Sequence, residues 1–145
     1  PKTLPSGEAL FLTRKNVYEL GTIPSMRQVK TLPSGQIYLK FGEIMTPTVG
    51  YGYKHIIDRH YRDFKLKNEL WSSVNFDIIT QFCEHVCIYG ANIHWDKERS
   101  SRLMISNRHG AVIVECRKIA GHSHYSVVTA IPKRKAKGLL VGTLA

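Results

Sequence analysis

The chain has 145 residues, 43% of them hydrophobic and 22% charged, which suits a single globular domain with a sizeable core. No run approaches about 18 consecutive apolar residues and no basic-then-apolar segment opens the chain, so neither a membrane-spanning helix nor a secretory signal is expected. Lys and Arg total 21 against 11 Asp and Glu, a net charge of +10 that makes nucleic acid the leading partner class, with acidic proteins or anionic membrane surfaces as the other takers. Three cysteines, Cys83, Cys87 and Cys116, are an odd number in a chain too long to need stapling, which points away from a disulfide framework and toward a reducing compartment. Because it opens on Pro1, the chain is expected to be a piece of a longer polypeptide.

In chain order, the hexapeptide KTLPSG occurs twice, at Lys2 to Gly7 and Lys30 to Gly35, and each copy leads from a turn into a short apolar run. Strands are expected at Glu8 to Thr13 and Gln36 to Phe41. Gly42 to Gly52, with three glycines and a proline, reads as a loop or hinge. Tyr53, Ile56, Ile57, Tyr61 and Phe64 then recur at helical spacing, and a second helix is predicted over about Ser73 to Ile88 from Val74, Ile78, Phe82 and Val86. Leu103 to Ser106, Ala111 to Arg117 and Tyr125 to Ile131 are β-rich runs with glycine in each connection, an antiparallel meander. A basic segment, Lys133, Arg134, Lys135 and Lys137, precedes a last edge strand from Leu139 to Ala145. The expected fold class is α+β, with N-terminal helices packed on a C-terminal antiparallel β-sheet.

The densest chemical cluster is Tyr53 to Arg62. Histidine exchanges protons near neutral pH and arginine grips a phosphate with two donors. On a helix His55, Arg59 and Arg62 form one ridge fit to face a phosphodiester backbone, whereas His60 falls on the apolar stripe, where a core histidine bonded to backbone is the competing reading. On the strands, Glu115 and Arg117 share a face, either as base and phosphate clamp or as a solvent-side ion pair. Regular alternation puts His124 and Ser126 on one face and Tyr125, Val127 and Thr129 on the other. Cys83, His85 and Cys87 do not match paired metal-ligand spacing, and His122 with His124 makes an H-x-H weaker than a structural zinc pattern. No metal site and no cofactor are therefore expected, and Cys83 and Cys87 read as small core residues.

The segments YKHIIDRH, Tyr53 to His60, and YSVVTAIP, Tyr125 to Pro132, resemble the barnase/EndoU/colicin/RelE-like ribonucleases, which occur as C-terminal toxin domains of polymorphic toxins, contact-dependent growth inhibition proteins among them. The resemblance covers roughly Gly50 to Lys133, making residues 46–145 the nuclease core and 1–45 a strand-and-loop segment of the same domain or beside it. It implies a barnase-like fold, catalytic roles for His55, Arg59, His60, Ser126 and Thr129, and substrate contacts from Lys54, Arg62, Arg117, Tyr125, Lys133 and Arg134. Ser126 and Thr129 can act together only if a bulge or the strand end reorients one of them. The implied activity is metal-independent cleavage of tRNA or rRNA through the ribose 2′-OH, in the cytoplasm of a target bacterium. An acidic immunity protein would restrain it and a host protein could serve as cofactor. The alternatives are a non-catalytic RNA-binding module stacking bases on Tyr51, Tyr53, Tyr61 and Trp71, and a metal-dependent nuclease using His122 and His124.

Overall fold

The computed structural model describes residues 18–40, 42–46, 49–56, 78–119 and 121–145. Their elements are β1 (Glu19–Ile23), β2 (Gly35–Tyr38), β3 (Glu43–Thr46), β4 (Val49–Tyr51), a helical turn over 52–56, α1 (Ile78–Val86), β5 (Asn92–Trp95), a 3-10 turn (Lys97–Arg99), β6 (Arg102–Asn107), β7 (Gly110–Ile119), β8 (His122–Pro132) and β9 (Leu139–Thr143). Seven strands form one sheet in the order β1-β2-β8-β7-β6-β5-β9, and β3 with β4 forms a separate hairpin. Every pair in the large sheet is antiparallel except β2 with β8, where Ile37 lies beside Tyr125 and Tyr38 beside Ser126. Over the described residues the fold is thus α+β, with β1 to β4 preceding α1, so that strands and not helices come first among them.

Alternation sorts the sheet into two faces. Its inner face carries Ile37, Ile93, Leu103, Ile105, Val112, Val114, Tyr125, Val127 and Ala130, all at or near full burial. In α1, Ile79, Phe82, Cys83 and Val86 recur at i, i+3, i+4 and i+7, the spacing of a single helical stripe, and join the same core cluster. Cutting the fully buried Phe82 back to alanine would cost about 3–5 kcal/mol through lost transfer energy and a residual cavity.

One departure from the sequence reading bears on the site. Gly42 to Gly52, expected as a loop, is the β3–β4 hairpin with a positive-φ glycine flanking each end, at 76° and 75°. A Cβ on Gly42 would collide with the Tyr51 carbonyl and one on Gly52 with the Lys40 carbonyl, so these glycines permit close backbone crossing and are not marks of flexibility. The meander forms as predicted, its β6–β7 turn closed by the Asn107 side chain accepting the His109 amide at 2.9 Å. The strand expected at Glu8 to Thr13 and the Ser73 to Asp77 part of the second helix lie outside the described residues.

Candidate functional site

The outer face of the sheet, turned away from α1, is polar. Its organising feature is a bulge in β8: Val127 pairs with Val114 and Thr129 with Ile113, so Val128 is an extra residue opposite no partner. Regular alternation puts Ser126 and Thr129 on opposite faces. The inserted residue restores them to the same one, because Ser126 lies opposite Glu115 and Thr129 opposite Ile113, two positions of equal parity on β7. Both are buried, 2% and 7% exposed, and among the described residues neither Ser126 Oγ nor Thr129 Oγ1 has a hydrogen-bond partner.

Around this pair β2 and β8 add further polar groups. His124, also buried, meets the Tyr38 ring edge-on at a centroid distance of 6.0 Å. Leu39 belongs to the inner core, so alternation turns Lys40 outward, two residues beyond Tyr38, which lies beside Ser126. Lys40 is 3% exposed, a burial that lysine tolerates only when its charge is answered. The Lys40 carbonyl accepts the Tyr53 amide at 2.9 Å, which fastens the 52–56 turn beside β2. In that turn His55 is buried, Ile56 enters the core and Lys54 is exposed. Arg59, His60 and Arg62 lie outside the described residues.

Glu115 and Arg117 flank the cluster, opposite Ser126 and His124 respectively. An Arg117 terminal nitrogen donates to Glu115 Oε2 at 3.1 Å, Ser101 Oγ donates to Oε1 at 3.2 Å, and Arg102 Nε stands 4.0 Å from Oε1. Half-exposed pairs of this kind contribute little to stability. Their effect is positional, holding a carboxylate and a guanidinium at the rim of the buried hydroxyls.

Tyr125, which the resemblance sets among substrate contacts, points the other way. Its ring is buried on the inner face and its hydroxyl donates to the Pro33 carbonyl at 2.7 Å. Burial, with Cys116 beside it, pushes its pKa up, so the phenol stays protonated and structural. Lys133 and Arg134 are exposed and begin the connection from β8 to β9. His122 is exposed, and no group of three metal-ligating side chains occurs among the described residues. Cys83 and Cys87 are buried in the core, and burial pushes the Cys87 thiol up to about 12.

Sequence reasoning singles out His124 and Ser126 as sharing a face and names a bulge as one condition for Ser126 and Thr129 to act together, but it gives no sign of Lys40 or Tyr38. Lys40 carries no motif, and its burial belongs to the tertiary fold, where the 52–56 turn is fastened to its carbonyl. Compared with protein-family models, with curated proteins and with solved structures, the chain matches none.

Proposed function

We propose that the chain is a metal-independent endoribonuclease of the barnase/EndoU/colicin/RelE-like kind, cutting RNA by attack of a ribose 2′-OH on the adjacent phosphorus. The observation that supports this reading is the bulge that turns two buried, unpartnered hydroxyls, Ser126 and Thr129, onto one face with His124 and Lys40. An unsatisfied buried hydroxyl costs roughly 1–3 kcal/mol, and two side by side are retained most readily where a ligand completes them. A phosphoryl group supplies oxygens that accept from both, with Lys40 and Arg117 answering its charge.

The step needs a base and an acid. One group removes the 2′-OH proton as the 2′-oxygen bonds to phosphorus, and another protonates the 5′-oxygen as its bond to phosphorus breaks. The products are a 2′,3′-cyclic phosphate and a 5′-hydroxyl. His55 and His124 are the described imidazoles suited to these roles, Glu115 is a carboxylate at the rim, and Arg59 and His60 keep the roles the resemblance implies. DNA, with no 2′-OH, is not cut. The +10 charge suits both an RNA substrate, tRNA or rRNA, and an acidic immunity protein that restrains the enzyme in its producer, with action in the cytoplasm of a target bacterium.

Total cellular RNA incubated with the protein in excess EDTA tests this. Discrete fragments with cyclic phosphate ends are expected, absent with His124→Ala, His55→Ala and Ser126→Ala. RNA binding with no cleavage would move the reading to a non-catalytic RNA-binding module, and cleavage restored only by added divalent metal would move it to metal-dependent chemistry.

A further inference from the structure

Beyond β7 the outer face of the sheet continues to a second polar hollow that the cleavage chemistry does not use. Because β9 pairs with β5 at the far edge, the chain leaving β8 must cross β7, β6 and β5 to reach it. Residues 133–138 make this crossing as a strap over the outer face, with the Lys133 amide donating to the His109 carbonyl at 2.8 Å and the Lys137 amide reaching Met104 Sδ at 3.4 Å. On one side of the strap lies a cavity of about 430 Å³ with Asn92, His94 and Ser106 in its lining and with Arg108, Lys133, Arg134 and Lys135 around it. No acidic residue lines it, and among the described residues none of those four cations has a carboxylate partner. Like charges gathered without a counter-charge raise a local potential that only an anion relieves.

His94 sits under the strap at the junction, since it and Arg134 also line the cavity on the strap's other side, where Arg99, Arg102 and Lys137 face Asp96 and Glu98. Its Nδ1 is buried with no hydrogen-bond partner among the described residues. Burial lowers its pKa, so the ring is neutral at neutral pH and offers one nitrogen as donor, the other as acceptor. A neutral donor facing four unanswered cations suits a group that is anionic and rich in acceptor oxygens.

We propose that the hollow under the strap is a phosphate subsite that holds a backbone phosphate of single-stranded RNA remote from the scissile one. The choice of RNA rests on the ribonuclease reading; the phosphate chemistry does not. From β5 and β6 to β8 is two to three strand spacings, roughly 10–14 Å, which corresponds to about three or four stacked nucleotides at about 3.4 Å each. The strap thus measures the substrate, and RNA too short to reach it gains nothing from it.

The test uses a single-stranded 2′-deoxy oligonucleotide of about ten nucleotides, which 2′-OH chemistry cannot cut. Its affinity is measured against salt for wild type, Arg108→Gln, Lys133→Gln and Arg134→Gln, with Lys30→Gln as the equal-charge control, an exposed lysine in the β1–β2 connection that does not line the hollow. Each hollow variant is expected to reduce the salt slope by up to about 0.7 for each phosphate it no longer neutralises, while the control leaves the slope unchanged. In wild type the His94 ring resonances should shift on binding. An equal fall in affinity for all four variants, with His94 unmoved, would overturn the subsite and leave diffuse attraction. If the oligonucleotide binds at the hollow but RNA is never cut, the subsite stands and the nuclease reading fails. If RNA is cut while the hollow variants keep their affinity, the nuclease reading stands and the subsite fails.

Discussion

Removing the hydroxyls of Ser126 and Thr129 should make the protein more stable and less active at once. Ser126→Ala and Thr129→Val each delete an oxygen that is buried and makes no hydrogen bond, and the second conserves side-chain shape. Relief of one unsatisfied hydroxyl is worth about 1 kcal/mol at the low end of its cost. At about 2–4 °C of melting temperature per kcal/mol for a domain near this size, each change should raise Tm by a few degrees and the double variant by roughly 4–8 °C. Deleting a donor aimed at developing phosphoryl charge typically removes about 10²-fold or more in kcat. Thr80→Val is the control: Thr80 Oγ1 on α1 is equally buried and unpartnered, but lies on the other side of the sheet, so stability should rise with activity unchanged. Calorimetry and initial rates on a fluorogenic RNA read both quantities. A drop in Tm for the β8 variants would mean that the hydroxyls hold the fold together, and a rise in Tm with full activity would mean that no phosphate meets them; either result refutes the argument.

Other outcomes follow from the same geometry. Tyr125→Phe removes the 2.7 Å bond to the Pro33 carbonyl and should cost about 1–2 kcal/mol by denaturant titration with kcat retained in the folded fraction, whereas a collapse of kcat at unchanged stability would return Tyr125 to the site. At pH 8 a thiol reagent should leave Cys83 and Cys87 untouched in the native protein, since both are buried and the Cys87 thiol is held near pKa 12, and should count three thiols in guanidinium. His109 has its pKa lowered first by burial, then by Arg108 and by His85, whose ring lies 5.7 Å away. A folded pKa below the unfolded value means that the unfolded chain takes up the proton first, so the stability from neutral His109 is full above the ordinary histidine range near 6.5 and is lost as pH falls through the lowered folded value. His109→Gln should therefore flatten the fall in Tm between about pH 7.5 and 5.

The parts of this fold that can be read from residues are those held by local pattern. The meander declares itself through alternation in Ala111 to Arg117 and through the turn chemistry of Asn107 and Gly110, and α1 through a clean stripe of four apolar residues. What escapes is what distance decides. β5 is four residues, Asn-Ile-His-Trp, too short and polar to stand out, and β1 becomes a strand only by pairing with β2. The bulge has no glycine or proline to announce it, since Ser126 to Ala130 is an ordinary β-forming run; only its partners in β7 reveal the extra residue. In the same way the basic segment after Pro132 is plain as charge, while its path over the sheet follows from the strand order.

The parallel contact between β2 and β8 fixes when the cluster can exist. Pro33 and Tyr125, bonded across it, are 92 positions apart, so this edge closes a far longer loop than the meander turns do and bears the greater chain-entropy cost. Strands β6, β7 and β8 are joined by short turns and can zip together early, carrying His124, Ser126 and Thr129 with them. Tyr38 and Lys40 arrive only when β2 docks. A chain that has built its meander but not that edge holds two hydroxyls and an imidazole with no buried cation beside them, and the full constellation is complete only once β2 has docked.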